Sequence, residues 1–174
     1  SYGMLLGEAL QAQVHLVCHG GRGLVRSWNK RTDEFKLPDF YELAIADAAQ
    51  PVRWEHARYQ PDLIVSAIGT NDFNPGVPDG EAYVRAYVKF VQTLLNNHPQ
   101  AQIVLTEGAI LKAGKKAALQ VYLLETIKRV NDPGVHLVSA SHQPGDARDG
   151  HPTGAQHAAM ARELAPQLRR VMGW

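Results

Sequence analysis

Leu63-Ile64-Val65-Ser66-Ala67-Ile68, running straight into Gly69-Thr70-Asn71-Asp72, decides how this chain is read. The first six residues are uncharged and, apart from Ser66, apolar. A continuous apolar run of that length is the pattern of a strand covered on both faces, as in a parallel sheet. It stops on a glycine followed by three small or polar side chains, which is turn chemistry. Helical and strand-like patterns alternate on either side of it. The 3.6-residue stripe of Met4, Leu5, Ala9 and Leu10 predicts a helix from Tyr2 to Ala12. Val14-His15-Leu16-Val17-Cys18 predicts a strand over residues 13–18, and a Gly-, Arg- and Trp-bearing loop follows. A helix is expected from Pro38 or Asp39 to Ala49, because proline suits a helix start.

The second half repeats the alternation. A Pro/Gly-rich loop over 74–80 leads into a helix from about Glu81 to Asn96, a strand from Gln102 to Thr106, a helix over 113–130 and a strand over 134–138. Thr153 is an expected N-cap for a final helix reaching about Val171. Alternating strands and helices imply a single α/β domain with a mostly parallel sheet. In such sheets ligands bind beyond the carboxyl ends of the strands. Gly20 to Gly23, Gly69 to Asp72 and Asp149 to Pro152 all fall at that edge.

Bulk composition narrows the function classes. Of the 174 residues, 45% are hydrophobic, enough for one domain with a real core. Eighteen basic and seventeen acidic side chains nearly cancel. No broad field would steer the chain to nucleic acid or an anionic membrane. The densest basic stretch, Arg22, Arg26, Lys30 and Arg31, is followed directly by Asp33 and Glu34 and reads as a solvated loop. Cys18, the single cysteine, excludes an internal disulfide and is expected to be buried at a strand end. No run of about 18 apolar residues would span a bilayer. Glu8 interrupts the only apolar stretch near the start, so no signal peptide is read there. Ser1 follows no methionine, and the chain is expected to begin inside a longer precursor.

The three loops carry chemistry in combination. His151, held between Pro152 and the helix start, can take a proton from a hydroxyl and return it to a leaving group near neutrality. Asp149, two residues earlier, can orient the imidazole, although a surface histidine beside a turn aspartate has the same spacing. Asn71 can donate its side-chain amide to a developing oxyanion; ordinary turn formation is the competing reading. Asp72 is expected to support its loop by accepting from backbone amides. Gly20-Gly21-Arg22-Gly23 lets backbone N–H groups point inward unobstructed. A nucleotide-binding loop would need a helix immediately after the glycines, and Leu24 to Asn29 offers none.

Taken in order, these blocks resemble the SGNH (GDSL-like) hydrolase family. Gly69-Thr70-Asn71-Asp72 looks like its third block, Asp149-Gly150-His151-Pro152 like its last, and Gly20-Gly21-Arg22-Gly23 like its second. The resemblance implies a flavodoxin-like three-layer α/β/α fold with a parallel sheet. It also implies Gly21 and Asn71 as oxyanion donors, His151 as base and Asp149 as its partner. The short Asp-x-His-Pro form with Gly-Arg-Gly looks most like carbohydrate esterase family two, whose members remove acetyl groups from polysaccharides such as xylan and glucomannan. Some of these orient the histidine with a backbone carbonyl, which leaves Asp149's role open, and Asp146 is a second possible partner. Gly150 stands where the subgroup often has an aromatic residue, so sugar stacking would fall to Trp28; packing of Trp28 against the core is the alternative. Secretion or periplasmic export is implied by the resemblance alone. The mechanism needs no metal or organic cofactor.

The family's nucleophilic serine belongs to a Gly-Asp-Ser block after a first, central strand, and no such block occurs here. Ser1, Ser27, Ser66, Ser139 and Ser141 lack a strand-to-helix elbow. The expected domain, residues 1–174, therefore lacks its central strand, leaving unpaired backbone on two neighbours. A second polypeptide or an omitted N-terminal segment is expected to bring that strand and the serine. A lipid or acyl-thioester hydrolase on the same scaffold, and a non-catalytic carbohydrate-binding domain, remain as other readings.

Overall fold

The computed structural model describes residues 1–141 and 150–174. Helix α1 (Tyr2–Leu10) is followed by α2 (Leu37–Tyr41), the hairpin strands β1 (Leu43–Ile45) and β2 (Val52–Arg53), and β3 (Leu63–Ser66). Then come α3 (Thr70–Phe73), α4 (Gly80–Asn97), β4 (Gln102–Leu105), α5 (Ala113–Val130), β5 (Val135–Leu137) and α6 (Gly154–Met172). Strands β3, β4 and β5 form a parallel sheet in that order, with Val65 opposite Val104 and Leu105 opposite Leu137. Strand β4 is the central one of the three, and Ile103, Val104 and Leu105 are fully buried.

Period-two alternation sends successive side chains to opposite layers. Ile103 and Leu105 join Tyr83, Tyr87, Phe90, Val91 and Leu94 of α4 and Leu119 and Leu123 of α5. Val104 turns the other way, to Leu6 of α1 and Ala161, Leu164 and Leu168 of α6. Two helical layers enclose the sheet, as the α/β/α expectation required. Helix α6 begins where Thr153 and Gln156 form a reciprocal capping box and closes on Gly173 in the left-handed region. Among the described residues no helix is long and apolar enough to cross a membrane.

Four expectations fail. Residues 13–18 form no strand; the segment is largely exposed, with Leu16 at 48% and Val17 at 42%. Strand propensity needs a neighbour to accept its ladder bonds, and among the described residues β3 pairs only with β4. Cys18 is accordingly exposed rather than buried. The helix expected from Pro38 to Ala49 ends at Tyr41, and Leu43–Ile45 pairs antiparallel with Val52–Arg53. Asp47 caps the intervening turn by accepting from the Ala49 N–H at 2.7 Å, a local bond that competes with helix. The basic cluster is also not uniformly solvated, because Arg22 and Arg26 are partly buried and engaged.

Candidate active site

The loop after β3 and the loop after residue 18 are clasped together. Asp72, with no exposed surface, accepts from three successive backbone N–H groups, those of Leu24 (2.8 Å), Val25 (2.7 Å) and Arg26 (3.1 Å). Burial pushes its carboxyl above the ordinary carboxylate value, and those N–H groups pull in the opposite direction. The predicted role of Asp72 as loop support is thus visible in its bonds. Gly23 makes the approach possible: a Cβ there would lie 2.2 Å from Asp72 Oδ2 and 2.5 Å from the Arg26 carbonyl oxygen.

Beside this clasp, Asn71 Nδ2 donates to the Arg22 carbonyl at 2.8 Å. The bond occupies one amide hydrogen and aims the NH2 group at the Arg22–Gly23 peptide, one residue past Gly21; among the described residues the second hydrogen has no acceptor. Gly21 has φ +77°, in the left-handed region that glycine enters without strain. Its carbonyl accepts from Trp28 N–H at 3.0 Å, and a Cβ on Gly21 would lie 2.8 Å from Trp28 Cδ1. The indole therefore stands directly against Gly21 while 58% of Trp28 is exposed. Packing of Trp28 into the core, the alternative reading, does not occur. Buried Ser27 anchors the turn beneath it, donating to Glu34 at 2.6 Å, and Glu34 is also paired with Arg22 and Arg31. Gly21, Asn71 and Trp28 are thus brought together through the backbone of residues 21–28.

His151 is exposed in the turn that leads through Pro152 into α6, on the connection leaving the carboxyl end of β5. Asp149 and Asp146 lie outside the described residues. None of the serines sits in an elbow: Ser66 is buried in β3 with its hydroxyl 2.7 Å from Tyr87 Oη, and Ser27 is 2% exposed.

Sequence reading missed two groups. Arg26 donates through Nε and Nη2 to the Asp72 carbonyl at 2.8 and 2.6 Å, and through Nη2 to the Gly76 carbonyl at 2.6 Å. Glu107, 1% exposed just past β4, accepts from Gln120 and from the Ala140 N–H at 3.2 Å, while buried Lys116 donates to the Ala140 carbonyl. Glu107 had a signal, a carboxylate closing an apolar strand at the ligand-binding edge. Arg26 had none, because its partners are carbonyls distant in sequence.

The sequence profile of the GDSL-like lipase/acylhydrolase family matches residues 1–169. The chain belongs to that family. Within the GDSL-like proteins, it is 62% identical over all 174 residues to an acetylxylan esterase/glucomannan deacetylase of Cellvibrio japonicus (strain Ueda107). It covers 49% of that protein, so the chain spans about half the length of this relative. The solved structure of a family two carbohydrate esterase from Cellvibrio japonicus superposes with a TM-score of 0.97 at 61% identity, over 100% of this chain and 52% of that one. A family two carbohydrate esterase from Clostridium thermocellum, solved in complex with cellohexaose, gives a TM-score of 0.91 at 27% identity, over 100% of this chain and 55% of that one. The GDSL-like fold and the resemblance to family two esterases, both expected from the loop motifs, are borne out.

Proposed function

We propose that this GDSL-like chain is the bulk of the catalytic domain, residues 1–174, of a serine esterase that removes acetyl groups from xylan- or mannan-type carbohydrate. The observation carrying the proposal is the placement of Asn71 Nδ2 against the Gly21–Arg22 loop by two interlocked turns. Two donors set at one sheet edge suit the oxyanion of acyl transfer. The named activity of the Cellvibrio relative supports the choice of acetylated polysaccharide. The exposed Trp28, followed in the chain by exposed Asn29, Lys30 and Arg31, offers the aromatic platform and polar surroundings that a sugar ring needs, rather than the apolar groove of a lipid site.

The serine comes from a strand-and-elbow segment outside these 174 residues, lying between β3 and the segment 13–18. Its hydroxyl attacks the acetyl carbonyl while His151 accepts the proton. Asp149 or a backbone carbonyl orients the imidazole. The Gly21 N–H and the Asn71 amide hold the tetrahedral oxyanion. His151 then protonates the departing sugar oxygen, and water, activated by the same imidazole, releases acetate from the acyl-serine. Substrate in this reading is extracellular polysaccharide, which places the enzyme outside the cytoplasm.

Hydrolysis of 4-nitrophenyl acetate and of acetylated xylan by the protein with its serine segment present tests the reading. We expect the His151→Ala variant to lose at least about 1000-fold in kcat, the scale on which a nucleophile's general base acts. Undiminished activity in that variant would sink the mechanism.

A further inference from the structure

Asp72 and Arg26 exchange bonds in opposite senses across two loops. The Asp72 side chain takes the backbone N–H groups of Leu24, Val25 and Arg26, and the Arg26 side chain gives to the backbone carbonyls of Asp72 and Gly76. Each loop thus holds the other's main chain with a charged side chain. The residues next to this exchange are the two expected oxyanion donors: Asn71 precedes Asp72, and Gly21 lies just before the Gly23–Arg26 stretch. Among the described residues, their separation is set by backbone that this clasp joins together with the Asn71–Arg22 bond.

The chemistry of each partner fits a spacing role. Carboxylate is an acceptor at both oxygens, so it can receive three N–H groups; an amide of the same shape would turn an NH2 toward one of them. The guanidinium is a rigid fork and reaches two carbonyls at once, which an ammonium on a flexible stem does not reproduce. Asp72 is fully buried, so it cannot touch substrate, and Arg26 spends Nε and Nη2 on carbonyls. Both would act through the donors they space.

We propose that Arg26 and Asp72 are positioning residues that set the distance between the Gly21 N–H and the Asn71 amide, and so tune transition-state stabilisation in the esterase reading on which this rests. Oxyanion donors act on a geometry reached only in the transition state, so their misplacement lowers kcat and leaves KM nearly unchanged. An ångström-scale displacement costs on the order of 100-fold in rate.

The test compares wild type, Arg26→Ala, Arg26→Lys and His151→Ala, each with the serine segment present, on 4-nitrophenyl acetate, with and without added guanidinium chloride at non-denaturing concentration. Arg26→Ala is expected to lose roughly 10- to 100-fold in kcat at nearly constant KM, with the pH profile unmoved. Guanidinium should restore part of that loss in Arg26→Ala and nothing in wild type, and Arg26→Lys should fall between them. The Asp72→Asn variant is followed only if its unfolding midpoint shows it to be folded, and the Arg26 series decides the question without it. Wild-type kcat in Arg26→Ala would overturn the proposal. So would a loss that tracks the folded fraction and ignores guanidinium, which marks a merely structural role. If His151→Ala abolishes activity while Arg26→Ala does not affect it, the positioning role fails alone; if His151→Ala is as active as wild type, the esterase reading fails beneath it.

Discussion

A single missing methyl group lets the loops around Gly23 and Asp72 meet. Gly23 carries no Cβ, and one placed there would meet a buried carboxylate oxygen at 2.2 Å and a main-chain oxygen at 2.5 Å. Neither neighbour is a flexible chain end, so the strain cannot be relieved cheaply. Gly23→Ala is expected to destabilise the fold by about 2 kcal/mol or more, at the upper part of the overpacking range. Denaturant unfolding would show it as a lowered midpoint at unchanged slope. An unshifted midpoint would mean that the two loops can separate without cost. At this scale the motifs were legible because Gly, Asn, Asp and His are few-purpose residues at loop positions. Arg26 was not legible, because a guanidinium bonded to carbonyls leaves no pattern along the chain.

Elements add a dependence on acid. Helix α4 is capped by His98, a buried ring whose Nδ1 lies 3.3 Å from Gln60 Oε1 and which stands edge-on to His56 and Tyr41. Burial, and secondarily the nearby His56, depress its pKa below the ordinary histidine value. A depressed base binds its proton less readily folded than unfolded. Its contribution is therefore present above the unfolded pKa of about 6.5 and is lost as pH falls through and below that value. Thermal midpoints are expected to decline between neutrality and about pH 5, and His98→Gln should flatten the decline. An equal slope in the variant would assign the acid sensitivity elsewhere, for example to His157, also depressed by burial. Long elements were read well: α5 and the Thr153 cap of α6 fall where periodicity and capping put them. The failed helix over 38–49 shows the limit, since Leu43–Ile45 found a tertiary partner in Val52–Arg53 that helix propensity does not anticipate.

At the scale of the whole molecule, Leu16 and Val17 expose apolar surface on an irregular segment with the composition of a strand. Strand β3 pairs on one side only among the described residues. A strand accepted between them would bury that surface and satisfy both backbone edges. Addition of the serine-bearing segment, fused or as a separate peptide, is expected to raise the thermal midpoint by several degrees and to slow amide exchange in residues 13–18 and 63–66. Unchanged exchange in both stretches would remove the strand from the proposal.

The sequence by itself determined the α/β alternation, the loops that carry chemistry and the order in which they occur, because periodicity and turn residues act over a few positions. It also determined that none of the serines stands at a strand-to-helix elbow. Only the tertiary structure decided that residues 13–18 join no strand ladder among the described residues, that Trp28 stands exposed against Gly21, and that Asp72 and Arg26 lock two loops from opposite directions. Each of those depends on what lies across space from a residue: a strand's neighbour, a ring's backdrop, a charge's acceptor. Local pattern does not encode such partners, since the bonds joining these loops span 46 to 50 positions.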